Sequence, residues 1–224
     1  MNKSISITKI SFPEIKLKTR DAHKLRGYFG NLFKEHSPVL HNHYADGQFR
    51  YKYPVVQYKV LSGIPVLVGI NEGAELLPQL FLKTKQLQLD GQSYPIHSKN
   101  IEHHVVETGY SNQLHEYQFD TLWMALNQKN HQAYIQMKDP NEKTAMLNSI
   151  LIGQVLSFFT NIDLQLKADE RLMAKVEVQE KSTKFKDNTM KAFSGKFVLN
   201  ALLPNGIGIG RSVSRGFGSI RKLS

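Results

Sequence analysis

His41 and His43 stand two residues apart, in a neighbourhood that also holds Tyr44, Arg50, Tyr51, Lys52 and Tyr53. On extended backbone, side chains repeat every two residues, so both imidazoles project from one face and converge on a single ligand. The same pair suits a metal, but no Asp or Cys at matching spacing completes a ligand set. A surface His-x-His of no consequence is the plain alternative. Against it stands the surrounding mixture of hydroxyls, aromatic faces and cations.

A second constellation runs from Pro204 to Lys222. Its five glycines form two clusters, Gly206-Ile207-Gly208-Ile209-Gly210 and Gly216-Phe217-Gly218, separated by five residues that carry Arg211, Ser212, Ser214 and Arg215. Glycine at this density lets backbone approach a ligand closely. Exposed N–H groups, two guanidinium forks and two hydroxyls then describe a phosphate-binding concavity. No carboxylate occurs from Pro204 to Ser224 to offset the positive field. The spacing fits neither the dinucleotide fingerprint nor the P-loop. Arg215-Gly216-Phe217-Gly218 copies the first half of an RNA-recognition-motif signature, but Ser219 and Lys222 replace the expected aromatics. A glycine-rich hairpin closing a sheet is the bland reading.

The elements that position these residues are legible from periodicity. Ile5–Ile10 alternates as a strand. A helix capped by Thr19 or Asp21 follows, with Leu25, Tyr28, Phe29, Leu32 and Phe33 on one face and Arg20, Lys24, Arg26 and Lys34 on others. Val55–Leu61 and Ile64–Ile70 flank a Ser62-Gly63 turn as a hairpin. Asn71 caps a second helix whose Leu76, Leu77, Leu80 and Phe81 face the sheet. Leu87–Leu89 and the stretch from Tyr94 to Val106 add strands, which completes a βαββαβ order. Gly109-Tyr110-Ser111-Asn112 reads as a polar turn and as the boundary between domains 1–109 and 110–224. Beyond it come a strand from His115 to Ala125, a helix opened by Asp139-Pro140-Asn141-Glu142, and strands over 171–178 and 192–203. Lys181, Lys184, Lys186 and Lys191 fall in the turn between the last two, and Phe217–Lys222 closes the sheet. The fold class is therefore α+β, with the second half a degenerate copy of the first whose second helix the glycine-rich stretch replaces.

Composition narrows the partner. The 224 residues carry 29 Lys and Arg against 19 Asp and Glu, a formal charge of +10, which points to a polyanion. No apolar run has the length of a membrane span and no signal-peptide pattern opens the chain, so a cytoplasmic location is expected. With no cysteine, disulfides, thiolate metal sites and Cys catalysis are excluded.

The two glycine clusters resemble the glycine-rich loop of the RAMP superfamily, specifically the CRISPR-associated endoribonucleases that process repeat RNA. The resemblance continues through the segments 26–33, 37–43 and 49–55 and so covers most of the chain. It implies two tandem ferredoxin-like (RRM-like) domains with a C-terminal glycine-rich loop. It also implies an endoribonuclease that cuts CRISPR precursor RNA within repeats, needs no metal or other cofactor, and leaves 2′,3′-cyclic phosphate and 5′-hydroxyl ends. The family's catalytic histidine lies just after the first helix, where His41 and His43 sit. An imidazole can give or take a proton at neutral pH; Tyr51 is the third proton-transfer or positioning candidate, and Lys52 or Arg50 would offset charge on the phosphorane. RNA binding falls to Gly208, Gly210, Arg211, Ser212, Ser214, Arg215, Gly216 and Gly218. The expected partner is CRISPR repeat RNA and not a membrane, with further CRISPR-associated subunits and a homodimer left open. The alternative is a non-catalytic RAMP subunit that holds guide RNA; the paired histidines favour the enzyme.

Overall fold

A computed structural model describes residues 2–32, 53–185 and 188–223. Contacts divide the chain into two units. One comprises Ser4–Val106 with Val213–Gly216; the other comprises Met1–Lys3, Glu107–Ser212 and Phe217–Ser224.

The N-terminal unit opens with β1 (Lys3–Ser11), in which Ile5, Ile7 and Ile10 are buried. A single 3-10 turn, Thr19–Asp21, leads into α1 (Ala22–Leu32). The Asp21 carboxylate accepts the Lys18 N–H at 3.0 Å and pairs with Lys24 at 2.7 Å. Leu25 and Phe29 face the core as the periodicity requires, whereas Leu32 is 46% exposed on the last turn. β2 (Val56–Leu61) and β3 (Ile64–Ile70) form the expected hairpin, joined by Ser62-Gly63 with both φ values positive, the turn that matches strand twist.

Next is α2 (Glu72–Phe81). Asn71 does not cap it with its side chain. At φ +49° the Asn71 side chain is turned away from the helix, and its Oδ1 accepts the Ser6 N–H from β1 at 3.2 Å. A small hairpin, β4 (Gln86–Leu89) and β5 (Gln92–Pro95), precedes β6 (Asn100–Phe119). Within this unit the strand order is β2-β3-β1-β6. Its core packs Phe29 against Tyr58 and Phe81, among Ile10, Leu25, Leu67 and Leu77.

β6 is twenty residues long and supplies residues to both units. Gly109-Tyr110-Ser111-Asn112 therefore lies inside a strand and is not a turn. The polar cluster marks an irregularity instead: pairing with β8 (Asn188–Leu202) slips between Tyr110 and His115. There Ser111 Oγ accepts the Gln113 N–H at 3.0 Å and bonds the His115 ring at 2.9 Å, so the polar residues satisfy backbone that the ladder leaves over.

The C-terminal unit continues with α3 (Gln128–Gln136), a short polar helix that periodicity does not announce. α4 (Pro140–Asn161) starts where expected, with the Asp139 carboxylate accepting the Asn141 N–H at 2.8 Å. β7 (Ala174–Phe185) and β8 form one long hairpin, so Lys181, Lys184 and Lys191 stand on strands and not in a turn; Lys186 lies outside the described residues. The strand predicted through Ala125 stops at Phe119, and Trp123 makes only an isolated bridge to Phe193. β9 (Ile220–Lys222) pairs with β6. The order is β9-β6-β8-β7, which repeats the β6-β1-β3-β2 order of the first unit, strand for strand. Both are ferredoxin-like, and the chain from Leu203 to Ser219 occupies the place of a second helix. The core stacks Phe119 on Trp123 and Tyr117 on Phe197, under Leu147, Leu151 and Val155 of α4.

Candidate nucleic-acid interface

The glycine-rich stretch begins and ends as a tightly paired stem. Gly206 N–H donates to Ile220 O at 2.7 Å, Ile220 N–H to Ile207 O at 3.0 Å, and Ile209 N–H to Gly218 O at 2.8 Å. Ile207, Ile209 and Ile220 are fully buried, so the apolar residues between glycines are core residues of the C-terminal unit. Gly218, at φ +63°, is where the stem demands glycine: a Cβ there would lie 2.0 Å from Ile209 O. Ser219 is fully buried as well. Its N–H donates to Thr121 Oγ1 at 2.9 Å and its hydroxyl to Gly206 O at 3.3 Å. An aromatic at this position would have no room, which is the physical reason the RNA-recognition-motif signature breaks here.

The turn between the two glycine clusters has a different allegiance. Val213–Gly216 belongs to the N-terminal unit. Val213 is buried there, Val213–Arg215 forms one 3-10 turn, and Gly216 (φ +92°) comes so close to α1 that an added Cβ would stand 2.5 Å from Ala22 Cβ. Arg215 is half-buried beside Arg26 of α1. Burial pushes the Arg26 guanidinium down from its ordinary value, and the like charge of Arg215 pushes the same way.

The stretch's backbone is less available for anions than glycine density suggests. The N–H groups of Ile209, Arg211, Gly216 and Gly218 donate to Gly218 O, Met124 O, Val213 O and Leu122 O. Gly208 is bridged to Ser219 and Gly210 lies against Trp123. The groups that reach outward are side chains: Arg211 is exposed, while Ser212, Ser214 and Arg215 are half-buried. Nor is the positive field free of carboxylates. Arg221 donates to Asp120 at 2.7 Å and to Gln118 at 2.8 Å, a pairing that sequence order hides.

Other basic residues are similarly committed. Lys191 bonds the Glu180 carboxylate, which also accepts the Tyr134 hydroxyl at 2.7 Å, and Lys143 and Lys191 both lie over the Tyr134 ring. These donors hold Glu180 below the usual carboxylate range, Lys191 first and Tyr134 next. Lys196 pairs with Glu116 at 2.6 Å. Lys184 has no carboxylate partner among the described residues. Arg26, which the sequence places with Arg20, Lys24 and Lys34 off the apolar face of the first helix, is, among the described residues, the one of these cations that stands beside Arg215. His41, His43, Tyr51 and Lys52, together with His36 and Arg50, lie outside the described residues.

Two ferredoxin-like units, the second with a glycine-rich turn in place of a helix and with guanidinium groups on that turn, define a RAMP-type protein. The model of the Cas6b N-terminal domain matches residues 3–107 and that of the Cas6b C-terminal domain matches residues 109–223, so the chain belongs to the Cas6b family. A solved structure of Cas6b is 34% identical with a TM-score of 0.93, covering 99% of this chain and 100% of that one. A CRISPR RNA processing endoribonuclease Cas6b is 31% identical with a TM-score of 0.79, at the same coverage. An uncharacterized protein of Methanocaldococcus jannaschii is 34% identical over 146 residues, 65% of this chain and 97% of its own length. The family resemblance carried by the glycine clusters thus holds along the whole chain. Among the described residues no helix is long and apolar enough to cross a membrane.

Proposed function

We propose that this protein is an endoribonuclease that cuts CRISPR precursor RNA within its repeats. The observation that carries the reading is the match of both Cas6b domain models across residues 3–107 and 109–223, beside a 31% identical relative known as a CRISPR RNA processing endoribonuclease. The RNA backbone is held by Arg211, Ser212, Ser214 and Arg215, with guanidinium forks gripping phosphate oxygens. Gly208, Gly210, Gly216 and Gly218 set the path of the turn that presents them. The 2′-hydroxyl before the scissile phosphate attacks phosphorus, and the 5′-oxygen leaves. The products are a 2′,3′-cyclic phosphate and a 5′-hydroxyl. His41 and His43 remove the first proton and supply the second, Tyr51 assists or positions, and Lys52 offsets charge on the phosphorane. This chemistry needs no metal, because imidazole does the proton transfer that a metal-bound water otherwise would.

The test incubates purified protein in excess EDTA with labelled repeat RNA and with a copy carrying a 2′-deoxy nucleotide at the cleavage site. Cutting of the first alone, with a cyclic-phosphate end, is expected. Cutting of both would overturn 2′-hydroxyl attack, and tight binding without cutting would move the protein to the class of guide-RNA-holding subunits.

A further inference from the structure

Gly216 sets the turn that precedes it against two elements of the N-terminal unit at once. An added Cβ there would stand 2.5 Å from Ala22 Cβ of α1 and 3.3 Å from Tyr58 O of β2, so the backbone at 215–216 touches both. Arg26 follows Ala22 by four residues and lies on the same helical face, one turn further on. Helical side chains lean toward the helix N-terminus, which carries the Arg26 stem back over the turn of α1 that Gly216 occupies. Tyr58 marks the same place from the sheet side. Its ring stacks on Phe29 of α1 with centroids 5.9 Å apart, and burial pushes its hydroxyl up from the ordinary value while the Arg26 charge opposes that shift. Arg26 and Arg215 are each half-buried.

Two guanidinium groups brought together in this way repel, and partial burial removes water that would screen them. The depressed value of Arg26, from burial first and from Arg215 second, is the sign of that cost. Lys24, also on α1, is committed elsewhere, to Asp21 and to Asp90. A phosphodiester offers two non-bridging oxygens that share one negative charge. Two planar forks side by side can each donate to those oxygens, and the anion between them offsets the repulsion that the free protein carries.

We propose that Arg26 is an RNA-binding residue and that it grips, together with Arg215, one and the same phosphate of the repeat RNA backbone. The proposal rests on the reading of the chain as a protein that acts on this RNA. Filter binding of the full-length protein to repeat RNA with a 2′-deoxy nucleotide at the cleavage site tests it. Arg26→Ala and Arg215→Ala are each expected to weaken binding roughly 10- to 100-fold. The double variant should bind about as weakly as the weaker single one, with its slope of log affinity against log salt reduced by about 1 and not by about 2. Arg26→Lys keeps the charge without the fork, and should keep the slope while losing affinity. Urea unfolding of Arg26→Ala is expected to match the wild type; where it does not, Arg26→Gln, which keeps much of the stem, carries the same expectations. Wild-type affinity in the Arg26 variants, or losses that multiply in the double variant, would overturn the shared grip. If those variants bind normally while the wild-type chain cuts unmodified repeat RNA, this proposal alone is lost. If they bind weakly as expected while the wild-type chain cuts nothing, the grip stands and the endoribonuclease reading is lost.

Discussion

His41→Ala and His43→Ala are each expected to slow repeat cleavage on the order of 10²- to 10⁴-fold while leaving RNA affinity nearly intact. Single-turnover cleavage beside filter binding reads both quantities, and wild-type rates in both variants would redirect attention to His36. Arg211→Ala and Arg215→Ala should do the reverse: weaker binding, with the slope of log affinity against log salt reduced by about 1 for each phosphate that is no longer neutralised. A titration over salt concentration decides it, and an unchanged slope in both would remove this turn from the interface. His115 gives a prediction about stability. Its side chain is buried in the C-terminal unit, and burial, with the Lys222 charge adding, pushes the imidazole down from its ordinary value. The unfolded chain then takes up the proton more readily than the folded one. Stability is fully present above about pH 6.5 and is lost as pH falls from there through the lower folded value. His115→Gln, which keeps a donor for Ser111 Oγ, should flatten the melting temperature across that window.

Among elements, the glycine turns make the sharpest expectations. Gly218→Ala places a methyl on Ile209 O at a positive φ, and should cost about 1–3 kcal/mol or more in urea unfolding. Gly216→Ala drives a methyl into Ala22 of α1, which should lift the Arg215 turn from its seat and weaken RNA binding more than it lowers stability. Combining it with Ala22→Gly removes the clash and should recover part of the affinity. The fold's elements were legible where pattern and partner agree. The β2–β3 hairpin and α4 carry their own turn and cap chemistry, and their boundaries in the structure fall within a residue or two of those expected. Gly109–Asn112 misled because a bulge and a turn draw on the same polar residues; only the pairing with β8 distinguishes them. The lysines of β7 and β8 misled because a solvated hairpin and a loop look alike in charge. On the glycine-rich turn, residue types singled out Arg211 and Arg215, which the structure leaves exposed and half-buried. The engagement of the turn's N–H groups was not visible, because Met124 and Leu122 are remote in sequence.

The molecule as a whole is interlaced. Val213–Gly216, late in the chain, completes the N-terminal unit, and the first residues through Lys3 belong to the C-terminal one, where Lys3 Nζ donates to Ile162 O at 2.6 Å. Stability measured at one end should therefore respond to changes at the other. Val213→Asp puts a charge in a buried site of the N-terminal unit, and hydrogen exchange is expected to show α1 and β2 amides losing protection, although the substitution is over 150 residues away from both. A loss of protection only around Val213 would mean that the turn rests on the unit without supporting it. The same interlacing bears on how the protein is made. Residues 4–106 leave the ribosome well before 213–216 are translated, with 107–212 still to come. A nascent chain thus carries its first unit unfinished, without Arg215 at its seat on α1, until residues 213–216 have themselves been translated.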